Sequence, residues 1–320
     1  MLQIVIVKDF EQMSIAAADF LLKKMREATI ERKENFNLGV ATGSSPKRLF
    51  ELMIERQREF NASKIRAWAL DEYVGLPGNS VIERESHNGS FSRFLAENLL
   101  NKLSPSFSSC FIPKGNEINQ RKLIEELDKS LGKGEAEMQG KNEGKAVIIS
   151  RNSQSKYLNW IKSDLMDSFL DSIKQAKGID CWVLGVGENG HLAFHEAGIS
   201  LENEMLLVKL DSNTQENAVK DRRFKNIREC PKFGLSMGAK GVFDNSKCII
   251  LLASGKRKTK AIADSLLKQV SDECPISGLQ EASKKGKEVV YFLDETAAQG
   301  ILGKEKELKE KGFKVVNLRN

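Results

Sequence analysis

The 320-residue chain is 40% hydrophobic and 29% charged, a globular composition that can bury the core of one large domain or two ordinary ones. Its 50 basic and 44 acidic residues leave a net charge of +6 spread along the chain, which favours an anionic small molecule over nucleic acid as ligand. No segment approaches the ~18–20 consecutive apolar residues of a membrane span, and five scattered cysteines without a C-x-x-C pair indicate a reducing compartment. We therefore expect a cytoplasmic protein without a membrane partner.

Short apolar runs alternate with amphipathic stretches along the chain, which is typical of strands alternating with helices. This order predicts an α/β fold with a single doubly wound, mostly parallel sheet and helices on both faces, as one domain over residues 1–320. The predicted strands are 2–7, 36–42, 65–70, 179–187, 204–210, 247–254, 288–293 and 313–318. The predicted helices include 13–33, 47–60, 118–131, 157–177 and 257–269.

One segment departs from this alternation. Residues 132–146, "GKGEAEMQGKNEGKA", are rich in Gly, Lys and Glu and offer almost nothing to bury. We expect a flexible excursion there, within a probable insertion at about 132–157.

The first candidate site is the turn Thr42-Gly43-Ser44-Ser45, which follows a predicted strand and precedes Pro46. Proline suits the first position of a helix and a preceding serine can cap it. Glycine and small hydroxyl residues also let backbone N–H groups approach an anion at the positive end of a helix, as in many phosphate sites. A simple capped turn without a ligand explains the same residues.

The second candidate is the pair Asp71 and Glu72, at the end of the strand predicted over 65–70. Ligands of doubly wound sheets bind outside the carboxyl ends of strands, and a carboxylate there can act as a base if burial raises its pKa. A solvated acidic pair at a turn is the alternative.

The third candidate is "CWVLGVGENGHLAFHEAG", residues 181–198, which contains the G-x-G-x-x-G spacing of dinucleotide sites. Too few residues separate Gly190 from the next predicted strand for a crossover helix, which excludes that interpretation. His191 and His195 lie four residues apart, but a zinc protease needs the order H-E-x-x-H, so we expect no metal site. What remains is His191 as an acid/base group held by Glu196, or a histidine that simply packs in the core.

Taken together, the chain resembles the glucosamine-6-phosphate deaminase/isomerase family. The matching motifs are "ATGSSP", "LDEYVGLP", "GVGENGHLAFHE", "SMG", "IILLASGKRKTKAI", "CPISGLQ" and "VVYFLDETAA", in the family's order from about residue 13 to 298. The same fold serves 6-phosphogluconolactonases, and the "AF-x-E" after the shared glycine and histidine resembles the deaminase branch.

The resemblance implies a role for each candidate. The counterpart of Asp71 moves a proton between C2 and C1 of the open-chain sugar, and that of His191 promotes ring opening. Glu196 orients His191. The Thr42–Ser45 turn (Thr42, Gly43, Ser44 and Ser45), a lysine and an arginine hold the substrate phosphate. The lysine corresponds to Lys258, and the arginine to Arg223 with Arg222 as the alternative. The family reaction requires no cofactor or metal.

The chain also departs from the family pattern beside the catalytic histidine. Asn189 replaces an aspartate of some members; as a candidate catalytic residue it can orient an imidazole by a hydrogen bond but cannot stabilise imidazolium by charge. His195 and Ala197 replace the usual asparagine and proline. These changes leave the preferred amino sugar open.

The resulting expectation is a deaminating isomerase that converts glucosamine 6-phosphate, or a close amino-sugar phosphate, to fructose 6-phosphate and ammonia. A 6-phosphogluconolactonase and a non-catalytic sugar-phosphate-binding protein are the alternatives. Some family members are hexamers activated by an N-acetylated sugar phosphate held by basic residues after the catalytic glutamate. Residues 200–210 offer Lys209 as their only base, so we expect hyperbolic kinetics in a monomer or small homo-oligomer.

Overall fold

The computed structural model describes residues 1–319, which form two β-sheets and the helices around them. The strands are β1 (Leu2–Val7), β2 (Phe36–Val40), β3 (Ile65–Ala69), β4 (Asp71–Val74), β5 (Ser109–Phe111), β6 (Ala136–Gln139), β7 (Lys145–Ile149), β8 (Ile179–Leu184), β9 (Met205–Lys209), β10 (Phe233–Met237), β11 (Ser246–Ala253), β12 (Glu288–Asp294) and β13 (Lys314–Leu318). The α-helices are α1 (Phe10–Arg26), α2 (Lys47–Glu55), α3 (Val81–Glu85), α4 (Phe91–Asn98), α5 (Gln120–Ser130), α6 (Lys156–Trp160), α7 (Ser168–Gln175), α8 (Ser212–Lys220), α9 (Ala239–Asp244), α10 (Thr259–Leu267), α11 (Leu279–Lys284), α12 (Glu295–Ala298) and α13 (Glu305–Glu310). Of the helices in this part of the chain, none combines the length and apolar character needed to cross a membrane.

The main sheet has eight strands in the order β13-β1-β12-β11-β8-β2-β3-β5, and every pair is parallel. Both faces are covered, which explains why its strands are apolar along their whole length. In β1, Val5 and Val7 pack with residues of α1 and α2, whereas Ile4 and Ile6 pack with α7 and α10 on the other face. The prediction of a large parallel sheet flanked by helices is confirmed.

The prediction of a single sheet is wrong. β4, β10, β9, β7 and β6 form a second, five-stranded sheet in that order, and all of its pairs are antiparallel. The strand predicted over 204–210 is β9 and lies in the middle of this sheet. Its residues alternate between two apolar clusters, with Leu207 packed towards the main sheet and Val208 towards the opposite side. Because both of its faces are buried, β9 reads as an uninterrupted apolar run and cannot be told from a parallel strand by composition.

The segment expected to be a flexible excursion, residues 132–146, contains β6 and the first residues of β7. β6 and β7 pair as an antiparallel hairpin, and β7 also pairs with β9, from Lys145 opposite Lys209 to Val147 opposite Leu207. Val147 and Ile149 are buried and supply the apolar contacts of the hairpin. Most of the glycines and lysines lie in the two turns before and after β6. Their composition dominates the segment, so the two short strands are not evident from sequence.

Leu70 connects the two sheets. Its N–H donates to the carbonyl of Val40 in the main sheet, 3.2 Å away, and its own carbonyl accepts from the N–H of Met237 in the second sheet at 2.7 Å. Asp71 then begins β4, opposite Ser236 of β10. The chain therefore leaves the main sheet for the second sheet at the carboxyl end of β3, beside the carboxyl end of the neighbouring strand β2.

Candidate active site

A cavity of about 500 Å³ opens at the carboxyl ends of β2, β3, β8 and β11. Parallel strands bring their carboxyl ends to one edge, so residues distant in sequence meet there. The predicted site residues that line it are Thr42, Gly43, Ser44, Ser45, Asp71, His191, Arg223 and Lys258. Glu196 and Asn189 are not among the described residues that line it: Glu196 lies beside His191, and Asn189 lines a second cavity.

The Thr42–Ser45 turn connects β2 to α2. Gly43 has a φ of 122°, a conformation that favours glycine. Pro46 precedes the first residue of α2, and no side chain caps this helix. The expectation that a serine caps α2 is therefore wrong, and the N-terminal N–H groups of the helix face the cavity mouth without a side-chain acceptor. Such an end attracts an anion.

Lys258 ends a short turn, Lys256–Lys258, that follows β11. Burial lowers the pKa of its half-buried ammonium. Asp294, at the end of β12, fixes the start of this turn by accepting hydrogen bonds from Ser254 Oγ at 2.5 Å and from the N–H of Gly255 at 3.1 Å. Asp294 also caps α12 through the N–H of Ala297 at 2.7 Å. One carboxylate thus connects the lysine turn to the core of the main sheet.

Arg223, rather than Arg222, reaches the cavity. Its guanidinium lies over the rings of Phe91 and Phe94, 4.7 Å and 5.7 Å from their centroids. A methyl group at Gly43 would lie 3.7 Å from Arg223 Nη2, which places this cation beside the Thr42–Ser45 turn. Arg222 is exposed and has a φ of 58°.

Asp71 is 5% exposed, and burial raises the pKa of its carboxyl to about 8. The neighbouring carboxyl of Glu72 acts in the same direction, and the cation of Arg223 opposes it. A carboxyl whose pKa lies near neutrality can both take up and release a proton at physiological pH. The alternative of a solvated acidic pair is wrong, because both Asp71 and Glu72 are buried.

Glu72 has a different task, which the sequence did not show. Its carboxylate is fully buried and holds the start of α4 against β4. The groups that donate hydrogen bonds to it, at 2.8 to 3.1 Å, are the N–H groups of Tyr73, Phe91 and Ser92, the Ser90 hydroxyl and the Asn116 amide. Because α4 carries the rings that lie under Arg223, Glu72 supports the phosphate side of the cavity.

His191 and Glu196 form a buried pair. Nδ1 of His191 lies 3.5 Å from Oε2 of Glu196, which is 1% exposed. Burial, reinforced by the cation of Lys258, lowers the pKa of His191 to about 4. Burial and the carboxylate of Asp211 raise the pKa of Glu196 to about 8. At neutral pH both groups are uncharged, so the imidazole presents one ring nitrogen that can accept a proton and one that can donate.

Glycine at position 187 makes room for this imidazole. A methyl group there would lie 2.3 Å from Cε1 and Nε2 of His191. The side chain of Asn189 binds the backbone of the loop: its Oδ1 accepts a hydrogen bond from the N–H of His191 at 3.2 Å. Asn189 was expected to orient the imidazole by a hydrogen bond. The structure shows instead that its amide oxygen fixes the backbone of the loop.

His195 is a structural residue. It is completely buried, its Nδ1 accepts from the N–H of Ala239 at 3.0 Å, and its Nε2 lies 3.1 Å from the carbonyl of Ile199. Both ring nitrogens are therefore engaged by the backbone and cannot share a metal with His191. Among residues 1–319 no cluster of three or more His, Cys, Asp or Glu side chains has a metal-binding arrangement.

α8 supplies a wall of the cavity that sequence reasoning missed. Thr214, Asn217 and Ala218 line it from one face of this helix. Asp211 is the N-cap of this helix and accepts from the N–H of Thr214 at 2.6 Å. The signal was present in the sequence as an N-cap residue before a helical stretch.

Comparison with known proteins agrees with this geometry. A protein of Clostridium beijerinckii named glucosamine-6-phosphate deaminase is 30% identical over 302 residues, covering 94% of this chain and 100% of that protein. A solved structure described as a monomeric glucosamine-6-phosphate deaminase superposes with a TM-score of 0.66 at 22% identity, over 93% of this chain and 99% of that one. The 6-phosphogluconolactonase of Leishmania guyanensis superposes with a TM-score of 0.61 at 16% identity, over 94% and 99% of the two chains.

At such identities the two structural matches establish the fold alone. The family is established by sequence, because the model of the family described as glucosamine-6-phosphate isomerases/6-phosphogluconolactonase matches residues 8–290. The chain belongs to this family of sugar-phosphate isomerases and lactonases.

Proposed function

We propose that this protein is a glucosamine-6-phosphate deaminase, which converts glucosamine 6-phosphate to fructose 6-phosphate and ammonia. The observation that carries the proposal is the convergence in one cavity of a buried carboxyl, Asp71, a neutral imidazole, His191, and a turn suited to phosphate. The name of the 30%-identical relative from Clostridium beijerinckii supports the same activity.

The phosphate end of the substrate binds between the Thr42–Ser45 turn and two cations. Arg223 lies beside the turn, and Lys258 lines the same cavity. The N–H groups at the start of α2 and these two side chains together offer several donors to a dianion. Burial lowers the pKa of the Lys258 ammonium, and a bound phosphate acts in the opposite direction, so substrate favours the charged form.

Asp71 carries the proton transfer between C2 and C1. In the free site the raised pKa of Asp71 keeps part of the population protonated at neutral pH. A bound amino sugar brings an ammonium group on C2, and a cation beside Asp71 favours its charged, carboxylate form. Asp71 then takes the proton from C2 and returns it to C1, while O1 receives a proton from the C2 ammonium, which leaves an iminium group at C2. Water adds to this iminium group and ammonia departs, giving the ketose.

His191 opens the pyranose ring before this step. A neutral imidazole accepts the proton of the anomeric hydroxyl and delivers one to the ring oxygen, so that no net charge has to leave the cavity. Glu196, protonated at neutral pH, lies at Nδ1 and can donate to it or receive from it as the other nitrogen changes state. Asn189 supports the loop that carries both residues.

A lactonase is the competing activity within the family. It would use His191 to activate water against a cyclic ester and would give Asp71 no proton to carry. The test is ammonia release from glucosamine 6-phosphate, coupled to glutamate dehydrogenase, beside hydrolysis of 6-phosphogluconolactone by the same preparation. Ammonia release with no more than background lactone hydrolysis supports the deaminase; lactone hydrolysis alone refutes it, and binding of the sugar phosphate without turnover indicates a sensor.

We further propose a monomer or small homo-oligomer without activation by an N-acetylated sugar phosphate. β9 is paired on both edges, and Glu202, just before it, forms an ion pair with Lys240 at 2.8 Å. The aliphatic residues of β9 are buried, and Lys209 is the one exposed base of residues 200–210, so this region offers little to hold a phosphate. The five free cysteines support the cytoplasm as its compartment.

A further inference from the structure

The turn between β6 and β7, residues 140–144, lies directly on the loop that carries Glu196. The N–H of Lys141 donates to the carbonyl of Gly198 at 2.9 Å, and the amide of Asn142 donates to the carbonyl of Ala197 at 3.1 Å. Gly198 must be glycine for this approach, because its φ is 85° and a methyl group there would lie 2.7 Å from Asn142 Nδ2.

Gly144 packs against the side chain of Glu196. A methyl group at this glycine would lie 2.6 Å from Cβ and 2.7 Å from Cγ of Glu196. The Glu196 side chain is 1% exposed, and within residues 1–319 neither carboxyl oxygen makes a hydrogen bond of good geometry, although Thr214 and Asp211 act on its pKa. Where strong hydrogen bonds do not fix a buried carboxyl, the atoms that surround it help to decide where it sits.

The β6–β7 turn is held by several contacts of its own, so it can fix the position of the loop that carries Glu196. Gly144 is followed at once by β7, which pairs with β9. Lys145 Nζ closes the turn by donating to the carbonyl of Gly140 at 2.8 Å, and Glu143 accepts from the hydroxyl of Ser212, the first residue of α8, at 2.7 Å. The amide of Asn142 also donates to the carboxylate of Glu273 at 2.8 Å.

We propose that the β6–β7 turn is a positioning element of the active site, in which Gly144 and Asn142 fix the Glu196 carboxyl and, through it, the imidazole of His191. The inference rests on the proposed function, since it assumes that Glu196 and His191 act in catalysis. It gives the Gly- and Lys-rich segment a task that its composition does not suggest.

The test is Gly144→Ala. The φ of Gly144 lies outside the left-handed region, so alanine meets only the side chain of Glu196. Displacing a catalytic group by as little as 1 Å can cost on the order of 10²-fold in rate. We expect kcat to fall about 10- to 100-fold while KM changes less than about 3-fold, because the phosphate side of the cavity is untouched. Lys133→Ala, at an exposed position of the turn before β6, is the control, and activity should stay within about 2-fold of wild type.

A double-mutant cycle separates positioning from general damage. In a Glu196→Gln background the side chain at 196 can no longer exchange a proton with His191. Adding Gly144→Ala should then lower kcat by less than about a further 2-fold. The pH profile of kcat/KM should also move in Gly144→Ala, because the surroundings of Glu196 change, and stay unchanged in Lys133→Ala. Asn142→Ala, which only deletes atoms, provides a second variant should Gly144→Ala fold poorly; we expect about a 3- to 10-fold loss of kcat.

The outcomes are distinguishable from failure of the proposed function. If the wild-type protein releases no ammonia, the deaminase assignment falls. If the wild type is active and both Gly144→Ala and Asn142→Ala match it, the positioning role is refuted. Equal losses from Gly144→Ala in the wild-type and Glu196→Gln backgrounds refute it as well, since the turn would then act independently of Glu196.

Discussion

Replacing Asp71 by asparagine should stabilise the protein while abolishing turnover. Asparagine keeps the shape of the side chain but removes a carboxyl that cannot ionise without cost in its buried position. Loss of a general base costs about 10²- to 10⁴-fold in rate. Binding of a phosphorylated ligand should remain, because Asp71 lies outside the phosphate-binding turn and its cations.

The size of the stability effect follows from the pKa of Asp71, which burial raises from 3.8 to about 8. Below pH 3.8 the carboxyl is neutral in both the folded and the unfolded chain, so it makes no difference. Above that pH the unfolded chain releases the proton and the folded protein keeps it, so wild-type stability falls as pH rises, by up to about 1.4 kcal/mol per pH unit, until about pH 8. At pH 7 the accumulated loss reaches at most about 4 kcal/mol, which Asp71→Asn avoids.

The measurement is urea unfolding of wild type and variant at a series of pH values from 4 to 8. The difference in unfolding free energy should grow from near zero to a few kcal/mol in favour of Asp71→Asn, with Tm rising on the order of 5 °C at pH 7. Asp128→Asn, at an exposed position of α5, controls for loss of one negative charge. A difference that stays constant across the pH series, or near-wild-type ammonia release by Asp71→Asn, would refute the reasoning.

Four further outcomes are expected. Lys258→Ala should raise KM about 10-fold or more with a smaller loss of kcat. An unchanged KM would mean that Lys258 does not bind the substrate phosphate. Arg223→Lys should raise KM because lysine cannot reproduce the stacked guanidinium, whereas Arg222→Lys, at the exposed neighbour, should not; equal effects would contradict the assignment. Wild-type kcat/KM should rise with pH up to about 8 as Asp71 ionises, and velocity curves should stay hyperbolic with or without N-acetylglucosamine 6-phosphate. A flat pH profile or sigmoidal curves relaxed by that sugar would overturn these two expectations.

Part of the site could be predicted because parallel strands impose their own geometry. Strand ends at 40, 69, 184 and 253 must lie at one edge once the strands are parallel, so the loops that follow them meet whatever the details of packing. The Thr42–Ser45 turn and Asp71 were predicted on this basis, whereas Lys258 followed from the family resemblance and His191 from its glycine-rich motif. Glycine-rich loops also leave a signal in sequence, because backbone approach excludes side chains.

Other parts depended on contacts between distant segments. The sequence offered two adjacent arginines, and only the position of α4, with its phenylalanine rings, brings Arg223 to the cavity. His195 appeared as a possible partner of His191, and only the fold shows its ring bound to the backbone on both sides. Neither choice is a property of local sequence.

The amino-acid sequence by itself determined the parallel sheet, its covering helices and the edge at which the chemistry takes place, because hydrophobic periodicity and strand–helix alternation are local signals. Only the tertiary structure decided that β9 belongs to a second, antiparallel sheet and that residues 136–149 join it as a hairpin. Strand pairing of this kind is chosen by which buried faces meet, and an apolar run such as β9 looks the same in either sheet. The contact of Gly144 with Glu196 follows from that pairing, because the two residues meet only after the hairpin has docked against β9.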